Sequence, residues 1–324
     1  MRVIVVDTYY PAFLEAHYAA RPRLSEKSYT AQLDSLMQQC FGTADAYSYY
    51  LRRLGHDAVD VVANCEPLQL QWAREHHFVG SLGGHLGRFL PGRLDRRTRL
   101  REITLAQIAE LDPEVVYLQD LWFFSSGDLE GLRRAGRLVV GQIASKPPND
   151  ARLRLFDLLT TSFPHYVDRF RSIGVDAEYF RIAFYERVLE RLKERGLEGR
   201  PEAERSYALT FVGGLDPRVH QRGVQLLERL SRDVELSIWG YGADALRADS
   251  PIRTRYRGQA WGLDMYEVLA RSQITLNRHI GAAEGYANNM RLFEASGVGA
   301  LLATDDGRTG VGWTEWNQPP GWPV

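Results

Sequence analysis

YRGQAWGLDMYEVLARSQITLNRHIGAAEGYANNMRLFEASGVGALLATD, residues 256–305, is the stretch whose reading decides the fold. Its spacing predicts a helix over 265–270, a short apolar strand over 274–276, then a glycine-containing loop. Asn277, Arg278 and His279 gather at the strand's carboxyl end. Asn288 or Asn289 is placed to cap a helix that carries Met290, Leu292 and Phe293 and stops at Gly297. A buried strand is expected next, before Asp305. A helix start presents unpaired backbone N–H groups and the positive end of the dipole, which favours a phosphate or pyrophosphate. Glu294, about one turn inside that helix, is placed to accept hydrogen bonds from a ribose. Together these features predict a nucleotide-sugar pocket.

Working outward, the same alternation covers the chain. Residues 3–6, 58–63, 115–118, 138–143 and 158–161 read as strands. Helical patterns fall at 29–40, 44–54, 102–110 and 166–173. After them, 208–212 and 234–239 read as strands on either side of a helix at 223–230. Strands alternating with helices and without hairpin signals predict parallel, doubly wound sheets. Residues 186–205, ERVLERLKERGLEGRPEAER, are highly charged and poor in core residues, and read as a connector. The expected organisation is therefore an α/β chain of two Rossmann-like domains, 1–185 and 206–305, joined by 186–205. Residues 306–324, rich in Gly, Pro and Trp, are expected to form an irregular tail.

With 324 residues, 44% hydrophobic and 25% charged, the composition is that of an ordinary globular protein with room for two cores. A formal net charge of -1 gives no general attraction to nucleic acid. The basic run from Arg93 to Arg101 reads as a solvated loop and helix start, with a phosphate or anionic-lipid contact as the alternative. No apolar run reaches the roughly 18 residues of a membrane span and no signal peptide is readable, so a cytoplasmic location is expected, with peripheral membrane contact left open. Two cysteines, Cys40 and Cys65, make neither a disulfide framework nor a metal motif. There is no Asp-x-Asp pattern, and the eight histidines are scattered apart from His76–His77, so metal-independent chemistry without a cofactor is expected.

ANNMRLFEASGVGALLATD resembles the donor segment of GT-B glycosyltransferases of group 1, in particular the CgeB-like proteins. The resemblance extends through VDTYYPAFL, CFGTADAYSYYLRRLGH and ANCEPLQ. It implies two Rossmann-like domains facing a cleft, the carboxyl-terminal one ending short of the family's later strands and returning helix. The implied activity is transfer of a sugar from a nucleotide-diphosphate sugar to a hydroxyl on a glycan, a lipid-linked carrier or a small molecule. In the broader retaining group the donor helix carries two glutamates. Glu294 matches the second, which holds the donor ribose, and Tyr286 stands at the first. A retaining outcome is the expectation that follows.

The resemblance also distributes roles. The Gly213–Gly214 loop would let the backbone approach the diphosphate, with Arg218 and Arg222 supplying charge. A tight turn with exposed arginines is the alternative. Tyr241 and Gly242, at a strand's carboxyl end, would border the base, and Trp261 would cover it or pack as an ordinary indole. Arg278 or His279 would face the diphosphate, or pair locally with Glu284. Asn288 and Asn289 would cap the helix and bind the donor. On the amino-terminal side, Asp120 would orient the acceptor hydroxyl or act as base, or else cap the next helix. His165 would be catalytic, or a packed imidazole. Two other readings remain: a nucleotide-sugar-binding module without turnover, and a GT-B-fold sugar epimerase.

Overall fold

The computed structural model describes residues 1–79, 95–197, 205–279 and 281–305, apart from the Ala282 side chain. Arg93 of the basic run, part of the charged connector and the 306–324 tail lie outside the described residues. The chain divides into two units, Met1–Phe180 and Arg181–Val324.

The first unit runs β1 (Arg2–Asp7), α1 (Pro11–Ala19), α2 (Tyr29–Met37), α3 (Ala46–Arg53), β2 (Asp57–Val62), α4 (Glu66–Glu75) and α5 (Arg96–Leu111). It continues with β3 (Val115–Leu118), α6 (Ser126–Arg134), β4 (Leu138–Gln142), α7 (Asp150–Leu153), β5 (Leu158–Thr161), α8 (Pro164–Ser172) and β6 (Ala177–Tyr179). The strands form one sheet in the order β2-β1-β3-β4-β5-β6, with every pairing parallel. Central parallel strands are covered on both faces, which is why β1 is an apolar run with Val3, Ile4, Val5 and Val6 all buried. Helix ends follow local chemistry. Ser125 and Asp128 close a capping box at the start of α6, and Asp112 ends α5 in the left-handed region at φ 42°.

The second unit begins with α9 (Arg187–Glu194). Then come β7 (Tyr207–Val212), α10 (Pro217–Asp233), β8 (Ser237–Trp239), α11 (Ile252–Arg255), α12 (Gly262–Ala270), β9 (Ser272–Asn277), α13 (Met290–Gly297) and β10 (Leu301–Thr304). The strand order is β10-β9-β7-β8, again all parallel. Its core includes Leu215, Val224, Leu227, Leu236, Ile238, Leu246 and Ile252. Both units are thus Rossmann-like doubly wound layers, and each reverses its winding once, between β1 and β3 and between β7 and β9. At such a reversal the connections on either side diverge and leave a crevice at the strands' carboxyl ends.

Three expectations change. Residues 187–194 of the charged segment form α9, which buries Val188 and Leu192 and packs on α12, with Arg195 bound to Asp264 and Glu267. The charge density comes from the solvent face of an amphipathic helix. The helix expected at 223–230 runs over 217–233, with non-helical dihedrals at His220 (φ -118°, ψ 35°). The strand before Asp305, expected to be buried, is the outermost of the sheet among the described residues, and Leu301 is 64% exposed.

Candidate functional site

The crevice of the second unit is built from the loops after β7, β8 and β9 and from the start of α13. The first two loops interlock through their backbones: Gly213 N–H donates to Trp239 O (3.0 Å) and Leu215 N–H to Tyr241 O (2.8 Å). Gly240 lies so close to this loop that a Cβ there would collide with the Gly213 carbonyl oxygen. Gly242 turns the chain at φ 80°, where a side chain would be strained. The His220 ring and the Tyr241 hydroxyl both lie over Gly214, and partial burial lowers the pKa of His220. Tyr241 stacks on Trp261, with ring centroids 5.4 Å apart and planes 17° from parallel. Trp261 Nε1–H donates to Gln259 Oε1 (2.8 Å). These two aromatic residues, separate in sequence, form one wall.

The start of α13 is tied to the same place. Asn289 holds the N-cap position, but its side chain makes no cap bond. Instead Asn289 Nδ2–H donates to Asn277 Oδ1 (2.8 Å) and to Arg278 O (3.1 Å), fastening the helix start to the end of β9. Arg291 reaches across to β7, donating to Val212 O (3.2 Å), and also meets Met265 Sδ (3.0 Å). Asn288 is half-buried beside Asn289.

Glu294 is buried, and both carboxylate oxygens are engaged. Oε2 pairs with Arg291 Nη1 at 2.8 Å, and Oε1 accepts from the Tyr266 hydroxyl at 3.4 Å. An ionised carboxylate has about four lone-pair sites, so these contacts leave acceptor capacity on each oxygen. Its first role in this structure is to neutralise Arg291, which the helical i,i+3 spacing sets beside it.

The basic residues separate. Arg278 extends toward α10, its Cδ at contact distance from the position a Gly223 Cβ would take. It stands 4.0 Å from Asp305, and its side chain is 30% exposed. His279 is nearly enclosed, its backbone N–H donating to Asp305 Oδ1 (3.0 Å) and its Nε2 lying 3.8 Å from the same atom. Burial lowers its pKa, with Asp305 acting in the opposite sense. The local partner of this pair is therefore Asp305, from the end of β10, rather than Glu284. Arg222 is exposed at the first regular turn of α10. Arg218 folds back on Asp216 through its own side chain and remains largely in solvent, so its charge is met locally rather than in the crevice.

In the first unit the crevice lies between Asp7, ending β1, and Gln119–Asp120, following β3. Asp120 holds the loops together: Oδ2 accepts from Thr8 Oγ1–H (2.9 Å) and Oδ1 from Trp122 N–H (2.8 Å). The helix after it is capped by Ser125, so Asp120 organises a turn and not a helix start. Asp7 Oδ1 accepts from Thr8 N–H (2.7 Å). Burial pushes the Asp7 carboxyl up to about 7, and the carboxylates of Asp120 and Asp60 add to the shift. His165 follows β5, two strands beyond β3, with its ring stacked on Phe163 (5.5 Å) and edge-on to Tyr166 (4.6 Å), away from the β1–β3 reversal. The sequence places both the Asp7–Tyr10 loop and Gln119–Asp120 at strand ends on the acceptor side, and favours Asp120 as the acid; it does not show that Asp7 is the one whose carboxyl is shifted. The signal available was its position as the last residue of an apolar strand, where burial raises an acid's pKa.

Among the described residues, no group of three or more His, Cys, Asp or Glu side chains could hold a metal ion. No helix among them is long and apolar enough to cross a membrane.

The fold defines a two-unit parallel α/β protein with one topological switch point in each sheet. Residues 220–318 match the family described as glycosyl transferase-like, so the chain carries a glycosyl transferase-like segment that begins within α10 and contains Arg278, Asn289 and Glu294. No curated protein matches this sequence. Among solved structures it is similar to α,α-trehalose 6-phosphate synthase from Burkholderia multivorans, at 12% identity and TM-score 0.48, covering 94% of this chain and 83% of that one. It is also similar to UDP-GlcNAc 2-epimerase from Neisseria meningitidis, at 10% identity and TM-score 0.48, covering 94% and 88%. Sucrose-phosphate synthase from Thermosynechococcus elongatus gives 12% identity and TM-score 0.47, covering 94% and 81%. Similarity at this level carries no statement about chemistry.

Proposed function

We propose that the protein is a GT-B glycosyltransferase, moving a sugar from a nucleotide-diphosphate donor to a hydroxyl acceptor without a metal ion. The observation that carries this reading is a coincidence of place. The glycosyl transferase-like segment supplies both sides of the second unit's crevice, α10 on one and Arg278 with the start of α13 on the other. In this reading the Tyr241–Trp261 wall receives the base, and the Gly213–Gly214 loop admits the diphosphate close to the backbone. Glu294 accepts from the ribose with its remaining lone pairs. Arg278, Arg222 and the α13 start offset the charge that develops on the leaving diphosphate. The acceptor belongs to the first unit.

The test is a thermal-shift screen of the full chain against UDP-, GDP-, dTDP- and ADP-sugars, followed by mass spectrometry of glycosylated products. One nucleotide series should raise the melting temperature and support transfer, and no shift with any of them would remove the donor site. A second reading, binding without turnover, draws on Tyr286 standing where the retaining group carries its first glutamate. Donor binding with no transfer to any acceptor and no donor hydrolysis would favour it.

A further inference from the structure

Resting on that donor-site reading, we propose that His220 is a gate on the diphosphate loop: its imidazole covers Gly214, and the break in α10 at His220 is the pivot on which the ring swings clear. Gly213 and Gly214 carry no side chains, which lets a phosphate approach their backbone closely. Rings fill both openings instead. A Cβ on Gly213 would meet the Phe211 ring at 2.8 Å, and one on Gly214 would collide with Nε2 and Cδ2 of His220 and lie 3.1 Å from the Tyr241 hydroxyl. Phe211 belongs to β7, and Tyr241 is stacked on Trp261. His220 is the ring of the three with neither anchor. A diphosphate that is to reach Gly214 must displace it.

What holds the imidazole is slight. Gly213 N–H and Leu215 N–H both donate across to the loop after β8, while Gly214 N–H between them donates to no described residue. The imidazole makes no hydrogen bond with a described residue either. The cover is therefore a van der Waals contact of ring on backbone, with an unused donor beside it.

The helix is built to let the ring move. Regular α-helix has φ and ψ near -63° and -42°, and His220 stands at -118° and 35°. Beyond this break the helix is anchored by Val224 and Leu227, both buried. Before it, the turn at 217–219 packs on little: Val219 is 73% exposed and the Arg218 side chain 80%. That turn is held by its cap, Asp216 Oδ1 accepting from Arg218 N–H (2.9 Å). A short segment with few buried contacts opens at small cost. His220 is the joint between it and the anchored body.

Protonation biases the same movement. Burial lowers the pKa of His220, with Asp216 acting in the opposite sense. The covering ring is thus held neutral, and a ring that swings into water regains its ordinary affinity for a proton, at about pH 6.5. The other charged groups around it are Arg218, which lies on Asp216 and feels Asp244, Arg222 in the next turn, and Arg278, whose Cδ lies beside Gly223. The phosphates of a nucleotide sugar are diesters and do not titrate in this range. Lower pH should therefore open the gate and tighten donor binding.

Isothermal calorimetry on the full chain at pH 6 and 7.5, with UDP-, GDP-, dTDP- and ADP-sugars, tests the gate. A cover that is in place most of the time weakens apparent affinity by the fraction of chains that are open. His220→Ala should bind the preferred donor about three- to tenfold more tightly than wild type at pH 7.5, and wild type should approach the variant at pH 6. His220→Phe keeps a ring over Gly214 with no proton to gain. It should bind no more tightly than wild type at pH 7.5 and lose the tightening at pH 6. Donor affinity in His220→Ala within about twofold of wild type, or weaker, would overturn the gate and leave the donor site standing; weaker binding would mark the imidazole as a diphosphate ligand. A His220→Phe affinity equal to that of His220→Ala would overturn it too. If no donor binds to wild type or to His220→Ala, the glycosyl-transfer reading falls first and the gate with it.

Discussion

Replacing Glu294 by alanine separates the two roles that this carboxylate holds. The Arg291 side chain is 14% exposed and that of Glu294 11%, with 2.8 Å between the charged atoms. Removing one member of a buried pair leaves the other desolvated and unpaired, which costs about 3–5 kcal/mol. Arg291 keeps its bond to the Val212 carbonyl, so the lower end, about 3 kcal/mol, is expected. For a unit of this size that is roughly 9 °C in melting temperature. The double variant Arg291→Met/Glu294→Leu replaces the pair with apolar side chains and should recover to within about 1 kcal/mol of wild type. Urea unfolding followed by circular dichroism measures all three, and Glu294→Gln, of equal volume, reports donor affinity at smaller structural cost. If Glu294→Ala unfolds within about 0.5 kcal/mol of wild type, or the double variant is no more stable than the single one, the pair does not hold α13 to β7.

Gly240→Ala must push the Gly213 carbonyl away and strain the interlocked loops. A loss of about 1–3 kcal/mol in urea unfolding is expected, together with weaker nucleotide binding by calorimetry, and an unchanged variant would contradict the close approach. Trp261→Ala removes one face of the aromatic wall. Nucleotide affinity should fall about tenfold, the equivalent of a stacking contribution near 1.4 kcal/mol, with little change in melting temperature. Asp60, like Asp7, is raised to about 7, chiefly by burial, with Ser48 donating to its carboxylate. Between pH 4 and 7 the folded chain therefore holds protons that the unfolded chain has released, so stability should decline as pH rises through that window, by at most about 4 kcal/mol per group. Asp60→Asn should flatten this slope in denaturation measured at pH 4.5, 6 and 7.5, and a slope equal to wild type would rule Asp60 out as its source.

Much of the second unit was legible locally. The apolar run of β9, the polar Asn277–Arg278–His279 after it and the helix to Gly297 each announce themselves over a few residues, because strand burial and helix periodicity are short-range patterns. So were the glycine positions, since a backbone that must approach another backbone has few residues to choose from. Other features were hidden for equally physical reasons. The charged segment concealed α9 because only Val188 and Leu192 of that helix face inward, and β6 is three residues long. The pairing of a side chain is not a local property: Arg218 found Asp216 two residues away, while Arg291 found a carbonyl on β7.

What sequence alone determined here is the alternation of strand and helix, the two-unit organisation and the placing of polar residues at strand ends. Tertiary structure decided the order of the strands, and with it which strand ends lie side by side. Asp7 and Asp120 are more than a hundred residues apart, and only the parallel pairing of β1 with β3 sets them on either side of Thr8. Tyr241 and Trp261 become one wall in the same way. Hydrophobic periodicity specifies which face of an element is buried. It carries no information about which neighbour buries it, and the chemistry of both crevices depends on the neighbour.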